Sequence, residues 1–86
     1  MSDQDRVGFA TRLLVDAALK AGIPLSGDMR VSEVDAAALL GLHPGSLKNL
    51  RLEGSGPRAY RVGIKGGRLS YRIADLAEWL EARSLE

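Results

Sequence analysis

Two short segments in the middle of the chain are bounded by residues that start and stop helices at close intervals. Ser32 is a typical N-cap before an alanine-rich run, and Gly41 is a typical residue for ending that run. Pro44 suits the first turn of a second helix, because its missing N–H would have no partner there, and Gly54 ends that helix. Only Gly41-Leu42-His43 separates the two segments. This predicts two helices that meet at a tight turn, the spacing of a helix-turn-helix unit.

The side chains of these two helices divide into an inward and an outward set. Ala37 lies four residues before Gly41, at the point where two helices approach most closely. The other positions predicted to face the core are Ala36, Leu40, Leu42, Leu47 and Leu50. The positions predicted to face outward on the second helix are His43, which also caps it, Gly45, Ser46, Lys48, Asn49 and Leu52. Such a face can enter the major groove of DNA, although an ordinary helical hairpin with a solvated face has the same pattern.

Charge is unevenly distributed, although the net charge is only +1. Residues 43–72 contain seven basic residues and one acidic residue, whereas the remainder contains five basic and ten acidic residues. The seven are Lys48, Arg51, Arg58, Arg61, Lys65, Arg68 and Arg72. A basic region on an otherwise acidic protein favours a polyanionic partner, because phosphates attract one face only. A solvated charged loop would explain the clustering equally well.

The segment after Gly54 predicts a β-hairpin. Tyr60–Ile64 and Arg68–Arg72 are short runs typical of strands, and Gly66-Gly67 tolerates the positive φ angles of a two-residue turn. With that turn, the apolar pairs are Ile64–Leu69 and Val62–Tyr71, and the pairs on the other face are Lys65–Arg68, Gly63–Ser70 and Arg61–Arg72. We therefore expect one face on the core and a basic face in solvent.

Further helices are predicted on both sides of this region. Apolar residues recur at three- and four-residue steps over residues 5–21, which indicates an amphipathic helix, and a connector follows over 23–30. Residues 74–83 form the last predicted helix, whose core stripe is Leu76, Trp79 and Leu80, with Tyr71 also in the core. We divide the chain into an N-terminal helix with its connector, 1–30, and a main domain, 31–86, within one compact unit. The first helix either covers the core or supplies a dimer contact.

The composition argues against several kinds of site. The chain has no cysteine and one histidine, so disulfides and the usual zinc ligand sets are excluded. The sequence has no thiol nucleophile, no evident partner for His43 and no carboxylates at a spacing that implies pairing, so it does not favour an enzyme. We expect no enzymatic activity, metal or cofactor.

No apolar run approaches the roughly 20 residues that span a bilayer, and Met1–Asp5 lacks a signal-peptide pattern, so we expect a cytoplasmic protein of bacterial or viral origin. The dipeptide Leu85-Glu86 often precedes a purification tag, and we infer no function from it.

Three stretches of the main domain are similar to one family. They are Gly41–Arg51 (GLHPGSLKNLR), Tyr60–Gly63 (YRVG) and Leu69–Leu80 (LSYRIADLAEWL). Over about 31–83 the chain resembles the excisionase-like, MerR-related winged helix-turn-helix domains, which implies a mainly α fold with a small β-hairpin. Gly45 departs from the family, in which a longer side chain is common there. The resemblance implies that the helix after the turn reads the major groove, while the hairpin contacts the DNA backbone or the minor groove.

The resemblance also implies which residues contact DNA. Ser46, Lys48, Asn49 and Arg51 correspond to the recognition helix, and Arg61, Lys65 and Arg68 correspond to the wing. His43, Arg58 and Arg72 complete the candidate set from the basic region.

The expected function is sequence-specific binding of double-stranded DNA. An excisionase that bends attachment-site DNA for an integrase or other recombinase is the first expectation. The alternatives are a MerR-like transcriptional regulator, the small subunit of a phage terminase and a protein-assembly factor. Because a monomer of this size contacts few base pairs, we also expect cooperative self-association on DNA.

Overall fold

The computed structural model describes residues 2–64 and 67–83. Within them the helices are α1 (Asp3–Lys20), α2 (Glu33–Leu40), α3 (Pro44–Glu53) and α4 (Ile73–Arg83), and the strands are β1 (Arg30–Val31), β2 (Tyr60–Val62) and β3 (Arg68–Arg72). The strands form an antiparallel sheet in the order β1-β3-β2. The expected fold class, mainly helical with a small sheet in a winged helix-turn-helix, is confirmed. The predictions for Lys65, Gly66 and Leu85-Glu86 lie outside the described residues.

The two central helices begin and end at the predicted residues. The Ser32 hydroxyl accepts a hydrogen bond from the Asp35 N–H at 3.1 Å, which satisfies a free donor at the start of α2. Gly41 ends that helix with a φ of 75°, in the left-handed region where a side chain would be strained. The Gly45 N–H donates to Nδ1 of His43 at 3.1 Å at the start of α3, and Gly54 ends that helix.

The core lies between the helices and the sheet. Its fully or almost fully buried members are Ala18, Val31, Ala36, Ala37, Leu47, Tyr71, Ile73 and Leu76. Leu40, Leu42 and Leu50 are partly buried. The inward positions predicted for α2 and α3 are therefore confirmed. Two adjacent alanines on α2 face the core, and their small side chains allow close packing against the neighbouring elements.

Trp79 is not a core residue, contrary to prediction. It is only partly buried and lies outside the buried cluster. Its indole N–H donates to the Ser55 carbonyl at 2.9 Å, and the Arg83 guanidinium lies over its ring at 4.3 Å from the centroid. The indole therefore ties α4 to the loop after α3, an arrangement that gives the polar N–H a partner at the edge of the fold.

Helix α1 covers the core of its own domain. It starts two residues before the predicted position, because Ser2 and Asp5 form a reciprocal capping box. It packs against α4 and α2. Ala18 is fully buried, and Leu14 and Val15 pack against the core cluster.

The segment predicted as a connector contains a strand. Arg30 pairs with Arg72 and Val31 with Tyr71, which makes β3 the central strand of the sheet. Only two residues form β1, and this length is too short to show an alternating pattern in the sequence.

The predicted hairpin register is wrong. Tyr60 pairs with Ser70, Arg61 with Leu69 and Val62 with Arg68, so residues 63–67 join the two strands instead of two glycines alone. A shift by an odd number of residues moves every β2 side chain to the opposite face. Ser70 and Tyr71 are both buried, although they point to opposite faces of β3, so alternation along β3 does not indicate the register. A Cβ atom at Gly67 would collide with the Val62 carbonyl oxygen, which explains glycine just before β3.

No helix in 2–64 and 67–83 combines the length and the apolar character needed to cross a membrane.

Replacing Leu47 by alanine should lower the free energy of unfolding by about 2–5 kcal/mol, because the side chain is fully buried and a cavity remains. Leu52, on the same helix, is 67% exposed and supplies the control. Leu52→Ala should change stability by less than about 0.5 kcal/mol. Urea denaturation of both variants measures the difference, and equal losses would contradict the division of α3 into a buried and an exposed face.

Candidate nucleic-acid interface

The outward face of α3 is exposed as predicted. Its members are His43, Gly45, Ser46, Lys48, Asn49 and Leu52, all of them exposed. Leu47, on the opposite side of the helix, is fully buried and fixes the rotation of α3 about its axis. The exposed side of α3 therefore offers an ammonium group from Lys48 and an amide from Asn49, with the Ser46 hydroxyl at its margin.

Glycine at position 45 fits the cap at the start of α3. A Cβ atom there would lie 3.3 Å from Nδ1 of His43, the atom that accepts the Gly45 N–H. A longer side chain would therefore crowd the imidazole. Because Nδ1 accepts, the proton of a neutral His43 resides on Nε2, which is free of the cap. The departure from the family pattern thus has a local structural reason.

Arg51 does not share the exposure of Lys48 and Asn49. Its Nε donates to Oε2 of Glu33 at 2.8 Å, and its Nη2 donates to Oε1 at 3.3 Å. The Tyr71 hydroxyl donates to the same Oε2 at 2.6 Å. We call Glu33, Arg51 and Tyr71 the carboxylate network. It connects α2, α3 and β3, and the side chains of Arg51 and Glu33 are only 20% and 18% exposed.

The carboxylate network shifts the titration of its members. The hydrogen bond from Arg51 lowers the pKa of Glu33 below its ordinary value, and the Tyr71 hydroxyl contributes in the same direction. The hydrogen bond to Glu33 raises the pKa of Arg51. Burial, together with the hydrogen bond to Glu33, raises the pKa of Tyr71. The network therefore consists of an ionised carboxylate, a guanidinium and a neutral phenol.

The basic residues of the hairpin lie on two faces, and the single basic face predicted for them is wrong. Arg61 is opposite Leu69 and shares its face. Arg68 and Arg72 lie an odd number of positions from Leu69 along β3, so they share the other face. The corrected register is the cause. Arg61 and Arg68 are both exposed, so the hairpin presents cations on both sides.

A second cluster lies on the Arg68 face of the sheet. The guanidinium groups of Arg58 and Arg72 lie 5.2 and 4.9 Å from the centroid of the Tyr60 ring. The Tyr60 hydroxyl donates to Asp75 at 2.8 Å. Arg72 also contacts Asp28 at 3.4 Å. Stacked guanidinium groups and an ordered phenol make this face more rigid than a set of free cations.

Asp28 joins this cluster to β1. It accepts from the Ser26 hydroxyl at 2.7 Å and from Arg30 Nε at 2.8 Å, and Arg30 Nη1 donates to Ser70 at 2.8 Å. The hydrogen bond from Ser26, followed by that from Arg30, lowers the pKa of Asp28 to about 2. Asp28 therefore stays ionised and offsets the charge of Arg72.

The residues that sequence reasoning missed are the anions that partner the arginines. Glu33 is the first residue of an alanine-rich helix, where an acid is favoured by the helix dipole, and nothing in its position indicates Arg51 as a partner. Asp28 falls in the predicted connector. Of the seven basic residues in 43–72, Arg51 and Arg72 are ion paired and Lys65 lies outside the described residues. The other four, all exposed, are Lys48, Arg58, Arg61 and Arg68.

The comparison with protein families agrees with this geometry. A family profile described as "Helix-turn-helix domain" matches residues 31–84, a range that begins at the second residue of β1, includes α2, α3, β2, β3 and α4, and leaves α1 outside. No curated protein and no solved structure gives a significant match. The match spans well over half of the 86 residues. The chain therefore belongs to this helix-turn-helix family of excisionase-like small domains, and its domain is a DNA-binding one.

Proposed function

We propose that the protein binds duplex DNA in a sequence-specific manner, with α3 in the major groove and the β2–β3 hairpin on the backbone beside it. The observation that carries this proposal is the outward face of α3, which is exposed along its whole length while Leu47 holds the opposite side in the core. A helix of this width fits the major groove, where each base pair presents a distinct set of donors and acceptors.

The residues of this face match the chemistry of base edges. The Asn49 amide can pair with N6 and N7 of adenine, and the Lys48 ammonium can donate to O6 and N7 of guanine. The Ser46 hydroxyl can donate or accept. Leu52 is 67% exposed and offers an apolar contact for a thymine methyl group. The face therefore carries sequence-reading groups, whereas a surface that bound only phosphates would need cations alone.

The hairpin suits backbone contacts. Arg61 and Arg68 are exposed on its two faces, so a hairpin that lies along a groove can reach a phosphate strand on each side. Arg58 and Arg72 extend the Arg68 face, and His43 Nε2 can donate to a phosphate at the start of α3. These contacts position the protein without reading sequence.

We propose that the biological role is that of an excisionase, which binds and bends attachment-site DNA together with an integrase in the cytoplasm of a bacterial or phage-infected cell. The excisionase-like character of the family supports this role. A transcriptional regulator, a terminase small subunit or an assembly factor would use the same surfaces. The neighbouring genes and an excision assay test the role: excision by a neighbouring integrase that requires this protein supports it, and a neighbourhood without an integrase, or excision that proceeds equally without the protein, overturns it.

We also propose a second copy of the chain as a partner, docked on the solvent side of α1. Phe9 and Leu13 are 50% and 55% exposed, and with exposed Ala17 they form a stripe at four-residue steps. The stripe is symmetric about Leu13, so an antiparallel second α1 places each Phe9 against an Ala17.

Binding to duplex DNA should weaken steeply with salt. If the exposed arginines Arg58, Arg61 and Arg68 each neutralise one phosphate, log affinity should fall against log salt with a slope of about −3. Fluorescence anisotropy of a labelled duplex over a salt series measures the slope. A slope near zero, or no binding to any duplex, would overturn the proposed function.

Helix and hairpin variants should differ in what they lose. Lys48→Ala with Asn49→Ala should reduce affinity for a duplex selected from a randomised library by about 1–3 kcal/mol per lost base contact, with little change on a scrambled duplex. Arg61→Ala with Arg68→Ala should weaken both duplexes and reduce the salt slope by about two. Lys20→Ala, a surface lysine on α1, is the control. If the hairpin variant alone loses discrimination, the hairpin reads sequence and the proposed docking of α3 is wrong.

The α1 surface is tested by Leu13→Glu. The change places two carboxylates at the proposed twofold axis, so cooperative binding to a duplex with two adjacent sites should be lost while the melting temperature stays unchanged. Leu19 is 63% exposed and lies on α1 beside the stripe, so Leu19→Glu is the control and should stay cooperative. Titration of the two-site duplex measures cooperativity. Cooperative binding that persists in Leu13→Glu would remove α1 as the contact.

A further inference from the structure

We propose that Arg51 is a positioning residue for DNA recognition: through the Glu33 carboxylate and Tyr71 it fixes the orientation of α3 relative to the hairpin, and it discriminates between sequences without contacting DNA. The inference rests on the proposed function, because it assumes that α3 and the hairpin bind one duplex together.

The packing of the elements gives such a link a role. Helix α3 packs against α2, and α2 in turn packs on β3 and α4. The orientation of α3 relative to the hairpin is therefore transmitted in part through α2, beside the loop that joins α3 to β2. Glu33 is the first residue of α2, where the Ser32 cap holds the backbone. Its carboxylate is the point at which side chains from α3 and β3 meet.

The hydrogen bonds of the carboxylate network restrict rotation as well as distance. Arg51 donates from two nitrogens to two oxygens of one carboxylate, at 2.8 and 3.3 Å, and such a paired contact holds the guanidinium plane in one orientation. Tyr71 is fully buried, so its hydroxyl is an immobile donor on the sheet side. Leu47 sets which side of α3 faces the core, and the two Arg51 bonds add a directional restraint at the other end of the network.

A direct DNA contact by Arg51 would oppose this arrangement. Two of the five guanidinium N–H groups, those on Nε and Nη2, are engaged by Glu33, and the carboxylate offsets the charge that would attract a phosphate. Turning these two groups toward a phosphate would leave the Glu33 carboxylate, only 18% exposed, next to Tyr71 without its cation. Removing one partner of a partly buried pair is costly because the other charge stays poorly solvated. Lys48, one turn earlier and exposed, reaches outward without such a loss.

The experiment compares arginine and carboxylate variants on two duplexes, one selected on the unmodified protein from a randomised library and one scrambled. Arg51→Lys keeps the charge and removes the two-nitrogen contact. It should reduce the affinity ratio between the duplexes roughly five- to thirtyfold, the effect of one or two lost hydrogen bonds. The salt slope on the scrambled duplex should not change. Tyr71→Phe, which removes a single hydrogen bond, should change the ratio in the same direction by a smaller factor.

Two further variants separate positioning from contact and from simple stabilisation. If Arg51 positions α3, Glu33→Gln should also reduce the affinity ratio. If Arg51 instead contacts phosphate, the substitution would release it from Glu33, and the variant would bind scrambled DNA more tightly. Arg30→Lys is the matched control. Arg30 lies on β1, away from α3; its side chain is 19% exposed and forms a comparable ion pair with Asp28. It should lower the melting temperature and leave the ratio unchanged.

The outcomes are distinct. An unchanged ratio in Arg51→Lys, measured at a temperature where the variant is folded, overturns the inference and leaves the proposed function intact. A salt slope that falls by about one in Arg51→Gln also overturns it, because the residue then contacts phosphate. An unmodified protein that binds no duplex overturns the proposed function, and this inference with it.

The network also predicts an effect of acid on stability. Because the pKa of Glu33 is lowered from its ordinary value of 4.5, the ionised form stabilises the fold above that pH, and this contribution is lost as the pH falls below it. Glu33→Gln should therefore show a flatter loss of stability in acid than the unmodified protein, measured by thermal melting over the pH range. An equally steep loss in both would show that Glu33 is not held by Arg51 in solution.

Discussion

The close packing of α2 against its neighbours is the constraint on which the rest of the structure depends. Two adjacent alanines, Ala36 and Ala37, are fully buried there, and Gly41 turns the chain in a conformation that favours glycine. Because the helices approach this closely, Leu47 fills the space between them and the polar side of α3 has no route into the core. The exposed face of α3 is thus a consequence of small residues on another helix.

The elements set by local chemistry could be predicted from the sequence, and those set by pairing across the chain could not. The ends of α2 and α3 follow from Ser32, Gly41, His43 and Gly54, each of which acts within a few residues. The register of the hairpin is set instead by pairing between residues that are distant in the sequence, and the central strand also pairs with the two-residue strand β1. A pattern with a period of two does not indicate the register here, because the adjacent residues Ser70 and Tyr71 are both buried.

The same distinction between local and long-range interactions explains which candidate site residues could be predicted from the sequence. Lys48 and Asn49 could be placed outward because helical periodicity gives their direction. The state of Arg51 could not be predicted, because its partner is 18 residues away and the pairing depends on how two helices cross. A count of charges treats every arginine as equal. A guanidinium that is paired with a carboxylate of the same protein, however, adds little to the positive potential at the DNA-binding surface. The effective basic surface is smaller and more sharply located than the composition suggests.

Helix α1 lies outside the range that matches the family, yet Ala18 is as deeply buried as any residue within that range. The range that matches the family and the buried core therefore have different boundaries. Transferring residues 31–84 alone into another protein would move the proposed binding groups and uncover the core residues against which α1 packs. A fusion or domain exchange that keeps this core intact would include α1.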